Sequence, residues 1–179
     1  MNLRELEDHE TVLLHDLDSD PEVMKYLSGG NPSSWETCQE ATSKIRSYYE
    51  KYHHKFGIWI AEERSSREFI GWFLLRPDKS KPEDLENPEL GYRLKKKFWG
   101  RGYATEGSQA LLQKAFLEFQ CKSVFAVTLT SNEASQAVMK KLGMDYICQF
   151  NQQECCDPNG DTSVVQYVVS KQKWSKQNL

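Results

Sequence analysis

Apolar side chains recur at helical intervals in the first third of the chain. Helices are predicted over residues 7–17, 20–28 and 34–52. In the second helix, Pro21 lies near the first helical position and Gly29 follows the last turn, which are common places for these residues at helix ends. In front of the third helix, Ser33 and Glu36 have the spacing of a capping box.

The rest of the chain alternates between strands and helices. Strands are predicted over residues 56–62, 69–76, 89–94, 123–130, 146–150 and 164–169. One helix is predicted over residues 103–119, and a second is capped at Ser131-Asn132-Glu133 and ended by Gly143. Alternation within the third strand places one set of side chains on one face, Leu90, Tyr92 and Leu94, and another set on the opposite face, Glu89, Gly91 and Arg93.

The order of these elements indicates an α/β or α+β fold with a mixed sheet. The strand–helix–strand unit over residues 89–130 is expected to be a right-handed crossover with its two strands parallel. No internal repeat or low-complexity tract interrupts the sequence. A chain of 179 residues with 39% apolar residues can bury a core, so a single domain over residues 1–179 is expected.

Composition and charge exclude several classes of protein. The net charge of −3 and the apolar content argue against a disordered chain and against a dedicated nucleic-acid binder. The sequence contains no run of about 18 apolar residues, which is the length needed to span a membrane. The first residues, MNLRELEDHE, lack the apolar segment of a secretory signal. We therefore expect a cytoplasmic protein with no membrane partner.

The cysteines and histidines form no recognisable site in the sequence. Among the five cysteines, Cys155 and Cys156 are adjacent, which does not fit the C-x2-C spacing of zinc sites. Reduced thiols and no metal are expected. A cysteine nucleophile paired with one of the four histidines is the alternative.

A strand, a glycine-rich turn and a helix start follow one another between residues 89 and 107. Gly100, Gly102 and Ala104 would let an anion approach the backbone, where free N–H groups and the helix dipole attract it. Arg101 and the run 95–97 add positive charge. No Walker A motif is present, and Thr105 stands at the third glycine position of a dinucleotide fingerprint. The alternative to an anion site is a tight turn with a solvated basic edge.

The same segment resembles a known family. Gly102-Tyr103-Ala104 fits the end of the acetyl-CoA motif Q/R-x-x-G-x-G/A of the GNAT N-acetyltransferases, with Trp99 in place of Gln or Arg. The stretch 99–106 is similar to the version in the RimJ/RimL-like branch, the ribosomal-protein N-terminal acetyltransferase group. Residues 132–144 resemble the N-x-x-S…K-L-G-F segment, with Met144 in place of Phe. Residues 167–174 resemble the final strand, whereas the family's first strand looks short or missing.

This resemblance implies a GNAT fold: a mixed, mostly antiparallel sheet with a splayed parallel strand pair, flanked by helices. It implies acetyl-CoA as cosubstrate, with the pantetheine arm between the strand ending near Leu94 and the strand at 123–130. It also implies direct transfer in a ternary complex to an amine acceptor, either a protein N-terminus or a small amine. The implied cofactor-binding residues are Leu94, Trp99, Gly100, Arg101, Gly102, Tyr103, Ala104, Thr105, Asn132 and Ser135.

Transfer to an amine requires a base for the amine proton and donors for the leaving thiolate. Glu89, beside the small Gly91, is the best candidate base, and the alternative is a solvated or salt-bridged strand carboxylate. Glu106 is the competing carboxylate, although its place in a first helical turn already has a structural reason. Ser135 is the candidate donor to sulfur, or else a residue bonded to the backbone near the helix cap. Lys141 is a weaker candidate for contact with the 3′-phosphate.

Two other functions remain open from the sequence. A GNAT fold could bind acyl-CoA without turnover, as a sensor or interaction module. Nucleic-acid binding through the basic edge at 93–101 lacks any known module. The helices at 7–52 and the loop at 77–88 are expected to wall the acceptor side, but the sequence names neither the acceptor nor the oligomeric state.

Overall fold

Seven strands form one sheet in the computed structural model, which describes residues 1–178. The strands are β1 (Asn2–Glu5), β2 (Gly57–Glu62), β3 (Phe69–Arg76), β4 (Glu89–Leu94), β5 (Ser123–Leu129), β6 (Asp145–Asn151) and β7 (Ser163–Ser170). The α-helices are α1 (Thr11–Asp18), α2 (Pro21–Met24), α3 (Trp35–Lys51), α4 (Tyr103–Gln113), α5 (Glu133–Lys141) and α6 (Lys171–Asn178).

The sheet contains one parallel pair of neighbouring strands within the described residues. The order is β1-β2-β3-β4-β5-β7-β6; β4 and β5 are parallel, and the other neighbours are antiparallel. A single register pair, Glu89 with Phe125, joins β4 to β5, so the two strands separate beyond it. The predicted mixed sheet with a splayed parallel pair is confirmed.

The helices cover opposite faces of the sheet. On one face, buried residues of α1 and α3 such as Leu14 and Tyr49 pack against Ile60 of β2. On the other face, α4, α5 and α6 pack over the strands on both sides of the opening. Helix α4 comes very close to β3 because Gly107 has no side chain; a Cβ there would lie 2.2 Å from Cζ of Phe73.

The second predicted helix is shorter than expected. Helix α2 ends at Met24, whereas residues 20–28 were the predicted span. Pro21 is the first residue of the helix, near the position predicted for it, and the Asp20 carboxylate accepts the N–H of Glu22 at 2.9 Å. After α2 the chain turns, and Ser28 forms a β-bridge with Cys156, far along the sequence. This tertiary pairing replaces the last helical turn.

Two local details of the other helices also differ from expectation. The cap of α3 is Ser34, whose hydroxyl accepts the N–H of Thr37 at 3.2 Å, so the predicted capping box at Ser33 is wrong. The helix predicted over residues 103–119 changes to a π-helix over Lys114–Glu118.

Both ends of the described chain carry an element beyond those predicted. The first strand, expected to be short or missing, is present as β1 and pairs antiparallel with β2. After β7, α6 was not predicted, and Trp174 lies on this helix rather than in the final strand. The Trp174 ring packs against Phe116 at 5.3 Å between centroids, which fixes α6 against the π-helical segment that follows α4.

Candidate functional site

The separation of β4 from β5 creates an opening in the sheet. At its closed end, the N–H of Phe125 donates to the carbonyl of Pro88 at 3.0 Å, and Glu89 pairs with Phe125. No further register pair joins the two strands toward Leu94 within the described chain. Backbone groups on such strand edges can bind an extended ligand that carries amides. The opening is therefore a candidate site for a chain of that kind.

The turn after β4 leads from this opening to the start of α4. Gly100 and Gly102 have φ angles of +71° and +85°, a left-handed conformation that favours glycine. Gly102 is the N-cap of α4, and no side chain caps this helix end. A Cβ at either glycine would meet no atom within 4 Å, so the space in front of the helix is open. Backbone N–H groups and the helix dipole make it a candidate anion site.

Acidic residues pair with the basic side chains of this turn. Lys95 lies 2.5 Å from Asp16 of α1. Lys96 lies 3.4 Å from Glu22 of α2. Lys97 and Arg101 pair with carboxylates of the β2–β3 turn, Glu68 and Glu63. These cations could reach an anion only by leaving their carboxylate partners. The N–H groups of the helix N-terminus can attract an anion without any such rearrangement.

Glu63 also holds the first residue of α4. It accepts a hydrogen bond from the Tyr103 hydroxyl at 2.8 Å. The pKa of the Glu63 carboxyl is lowered, mainly by the hydrogen bond from Ser66 and then by the one from Tyr103. The same bond raises the pKa of Tyr103. The β2–β3 turn therefore fixes the entry to α4 from one side.

Trp99 fixes the turn from the other side. Its indole N–H donates to the carbonyl of Leu94 at 2.8 Å, while 43% of the residue remains exposed. The indole therefore ties the turn to the last residue of β4. Ala104 and Thr105 lie in the first turn of α4, partly exposed, beside this open space.

Ser135 lies at the start of α5 and faces β4. The Asn132 side chain accepts the backbone N–H of Ser135 at 3.1 Å, so Asn132 caps the helix as predicted. The Ser135 hydroxyl oxygen accepts a hydrogen bond from the Tyr92 hydroxyl at 3.2 Å. The sequence left two roles open for Ser135, a donor to sulfur or a residue bonded near the helix cap. The bond at the cap is made by the Ser135 backbone N–H, so the hydroxyl can still act on a ligand.

Glu89 begins β4 and is salt-bridged. Arg76 of β3 donates to its Oε2 through Nη2 at 2.6 Å and Nε at 2.8 Å. Both side chains are about one fifth exposed. No hydrogen bond to the second oxygen, Oε1, is seen among the described residues. The carboxylate is therefore held in place with one oxygen available to a ligand.

The two weaker candidates have contacts or exposure of their own. The Glu106 carboxylate accepts a hydrogen bond from the N-terminal ammonium of Met1 at 2.6 Å and is more than half exposed. Lys141 is the exposed last residue of α5.

The side chains of Glu89 and Arg93 share the sheet face on which α1–α3 pack, and Gly91 lies between them. The Arg93 guanidinium lies 2.5 Å from Asp18 of α1 and 5.0 Å from the ring centroid of Trp72. Both charged side chains are largely buried, so the ion pair fixes α1 against β4.

The loop between β6 and β7 reaches the same side. The N–H of Cys156 donates to the carbonyl of Leu27 at 3.2 Å, and the N–H of Gly29 donates to the carbonyl of Cys156 at 3.0 Å. Lys79, in the loop between β3 and β4, pairs with Glu154 at 2.5 Å. We call the contact between residues 27–29 and 156 the loop bridge.

The five thiols differ in their burial within the described chain. All five cysteines are free. Burial raises the pKa of Cys121 to about 11, and burial also raises that of Cys38. No group of three or more potential metal-ligating side chains occurs within residues 1–178. In the same range, no helix has the length and apolar character needed to cross a membrane.

Three features of the site were missed by the sequence analysis. They are Arg76 as the salt-bridge partner of Glu89, the Tyr92–Ser135 hydrogen bond and the loop bridge. Alternation in β4 gave the correct face for Tyr92 but not its partner. Each of these contacts joins separate elements, and local spacing carries no signal for such pairs.

Comparison with known proteins gives a consistent family. Residues 1–145 match the family model described as an acetyltransferase (GNAT) domain. The FsC-acetyl coenzyme A-N(2)-transacetylase of Aspergillus fumigatus is 31% identical over 163 residues, which cover 88% of this chain and 68% of that protein.

Solved structures of low sequence identity share the fold. The structure of RimL, a ribosomal alpha-N-protein acetyltransferase, in complex with coenzyme A has a TM-score of 0.76 at 18% identity, covering 94% of this chain and 92% of that one. Spermidine N-acetyltransferase from Vibrio cholerae in complex with CoA and spermine has a TM-score of 0.73 at 16% identity, covering 97% of each chain.

Proposed function

The chain belongs to the GNAT acetyltransferase family, and we propose that it transfers an acetyl group from acetyl-CoA to a primary amine by direct attack in a ternary complex. The predicted family and enzyme class are confirmed by the match over residues 1–145. One observation carries the mechanism: the opening between β4 and β5 leads into the open N-terminus of α4. An extended arm and a terminal anion would occupy these two places together.

The residues present fit CoA. Unpaired edges of β4 and β5 would bind the amides of pantetheine, as an added strand does. The N–H groups over residues 100–105 would bind the pyrophosphate, because left-handed Gly100 and Gly102 leave no side chain in the way. Asn132, at the start of α5, would contact the arm as well as cap the helix.

The side chains around the opening supply the chemistry. Glu89 would accept the proton of the attacking amine through Oε1, while Arg76 holds its Oε2. Ser135 would donate to the sulfur that leaves. The nucleophile is the amine itself, so no acyl-enzyme forms. Cys121 in particular is buried, and the raised pKa of its thiol keeps the thiolate scarce at neutral pH.

The acceptor is proposed to enter on the face with α1–α3 and the loop bridge. A protein N-terminus or a small amine would reach Glu89 from that side. The name of the Aspergillus fumigatus relative supports transfer from acetyl-CoA to an amine nitrogen. The RimL fold supports the RimJ/RimL-like branch as a proposal, with an α-amine as acceptor.

Domain extent and location are part of the same proposal. All strands described within residues 1–178 belong to one sheet, which supports one domain over residues 1–179. The free cysteines support a reducing, cytoplasmic location.

The experiment is a screen of acetyl-CoA turnover with peptide N-termini and small amines as acceptors. The release of the free CoA thiol measures turnover. Calorimetry with CoA runs beside it. We expect CoA binding together with turnover on at least one class of amine. CoA binding without turnover on any amine would instead favour the acyl-CoA sensor. The absence of both would contradict the assignment of the anion site at residues 100–105, which we call the cradle.

A further inference from the structure

A hydrogen bond crosses from β4 to α5 next to the opening. It runs from the hydroxyl of Tyr92 to the hydroxyl oxygen of Ser135, with 3.2 Å between the oxygens. We propose that Tyr92 is a positioning residue that turns the Ser135 hydroxyl hydrogen toward the leaving sulfur. This inference rests on the proposed function and adds a residue to its machinery.

The direction of the bond carries the argument. A serine hydroxyl has one hydrogen to donate and two lone pairs to accept. The Ser135 oxygen accepts from Tyr92, and the Ser135 backbone N–H is satisfied separately by Asn132 at 3.1 Å. The hydroxyl hydrogen of Ser135 is therefore not used toward Tyr92 and can point into the opening. Hydrogen bonds in such a chain also strengthen one another.

Tyr92 remains a donor throughout the reaction. Burial raises the pKa of its phenol. A phenol with a raised pKa keeps its proton at neutral pH, so Tyr92 donates a hydrogen bond and not a proton. The ring packs on Phe73 with 5.9 Å between centroids, which holds the hydroxyl in direction.

The reaction is balanced in bonds and protons, and it needs no proton from Tyr92. The amine nitrogen forms a bond to the acetyl carbon, and the carbon–sulfur bond breaks with its electron pair left on sulfur. The amine proton leaves to Glu89 or to water, and the thiolate later takes a proton from water. Ser135 stabilises the negative charge on sulfur by donating a hydrogen bond while it forms.

Tyr167 of β7 provides a matched control, because it also bonds to α5. Its hydroxyl donates to the side-chain oxygen of Gln136, the neighbour of Ser135, also at 3.2 Å. Both tyrosines therefore anchor the start of α5 to the sheet with bonds of the same length. Only Tyr92 has Ser135 as its partner. If Tyr92 did no more than anchor α5, loss of the hydroxyl from Tyr167 should have the same effect as its loss from Tyr92.

The test compares Tyr92→Phe, Ser135→Ala, the double variant and Tyr167→Phe by steady-state kinetics and by CoA calorimetry. Loss of one hydroxyl from Tyr92 should lower kcat about tenfold, the size of one hydrogen bond, with KM for acetyl-CoA nearly unchanged. The double variant should be no slower than Ser135→Ala, because Tyr92 acts through Ser135. Tyr167→Phe should keep its kcat. Circular dichroism checks the fold of each variant.

Three results would overturn the inference while leaving the proposed function intact. They are an unchanged kcat for Tyr92→Phe, independent and additive losses in the double variant, and an equal loss in Tyr167→Phe. A wild-type protein that binds CoA and turns over no amine would overturn the proposed function, and this inference with it.

Discussion

Glu89 lies at the only register pair between β4 and β5 in the described chain, and it is held by Arg76. If its free oxygen takes the amine proton, Glu89→Gln should lower kcat by roughly 10²–10⁴, the usual contribution of a general base. CoA affinity should not change, because the proposed phosphate contacts are at residues 100–105. The rates should be compared below about pH 7, where an α-amine is mostly protonated and needs a base.

Arg76→Gln is the matched control for this change. It breaks the same salt bridge but leaves the carboxylate of Glu89. Equal losses in the two variants would assign the effect to the salt bridge and not to proton transfer. Near-full turnover in Glu89→Gln below pH 7 would make Glu89 a structural carboxylate, and the test would pass to Glu106.

The cysteines allow a second prediction at the level of single residues. At neutral pH a thiol reagent should label Cys148 first, since it is exposed, and should leave Cys121 unlabelled until the protein unfolds. Burial raises the pKa of Cys121 to about 11, which keeps the reactive thiolate scarce at neutral pH. Turnover should survive labelling of Cys148. Loss of turnover in proportion to this labelling would revive a thiol in the mechanism.

At the scale of elements, CoA binding should depend on the turn before α4 having no side chain in front of the helix. Gly102→Val should weaken CoA binding at least tenfold, because it places a branched side chain in front of the helix N–H groups and strains a left-handed residue. The control is Gly160→Val, which has a φ of +79° and equally open surroundings in the β6–β7 loop. Its strain, of order 1–2 kcal/mol, should be similar. Calorimetry that gives both variants the same CoA affinity would contradict the cradle.

The contact between α4 and β3 is a test of packing. Glycine to alanine within a helix normally stabilises by about 0.5–1 kcal/mol. Gly107→Ala should instead lower the thermal midpoint, since its Cβ would lie 2.2 Å from Phe73, and overpacking costs about 1–3 kcal/mol. In a Phe73→Leu background the same change should lose most of its penalty. A raised midpoint for Gly107→Ala alone would show that α4 shifts freely.

The elements that the sequence predicted well are those with a strong local pattern. β3 and β4 match their predicted spans over residues 69–76 and 89–94, because alternation and turn residues mark both ends. Helix α6 was missed because its sequence, KQKWSKQN, is almost entirely polar. Its stability comes from packing of Trp174 on Phe116, a contact with no local signal.

At the scale of the whole molecule, the order of the elements predicted a mixed sheet with a parallel pair. The resemblance, which covers nearly the whole chain, predicted the GNAT fold. The residues of the candidate cradle could also be named, because they are contiguous in the sequence and form the motif that carries the resemblance. What could not be predicted are side chains that meet across elements. Arg93 with Asp18, Tyr92 with Ser135, and the loop bridge all depend on how layers pack.

The loop bridge supplies the last prediction. Gly29 has a φ of +66°, and a Cβ there would lie 3.1 Å from the carbonyl oxygen of Asp157, so Gly29→Ala should push the β6–β7 loop away from the end of α2. Because this loop lies on the proposed acceptor side, KM for the amine should rise while CoA affinity stays constant. Gly30→Ala is the control: φ is +93°, yet its nearest contact is a more distant 3.5 Å, to Pro21. If both variants change the amine KM equally, backbone strain is the cause and the bridge does not shape the acceptor site.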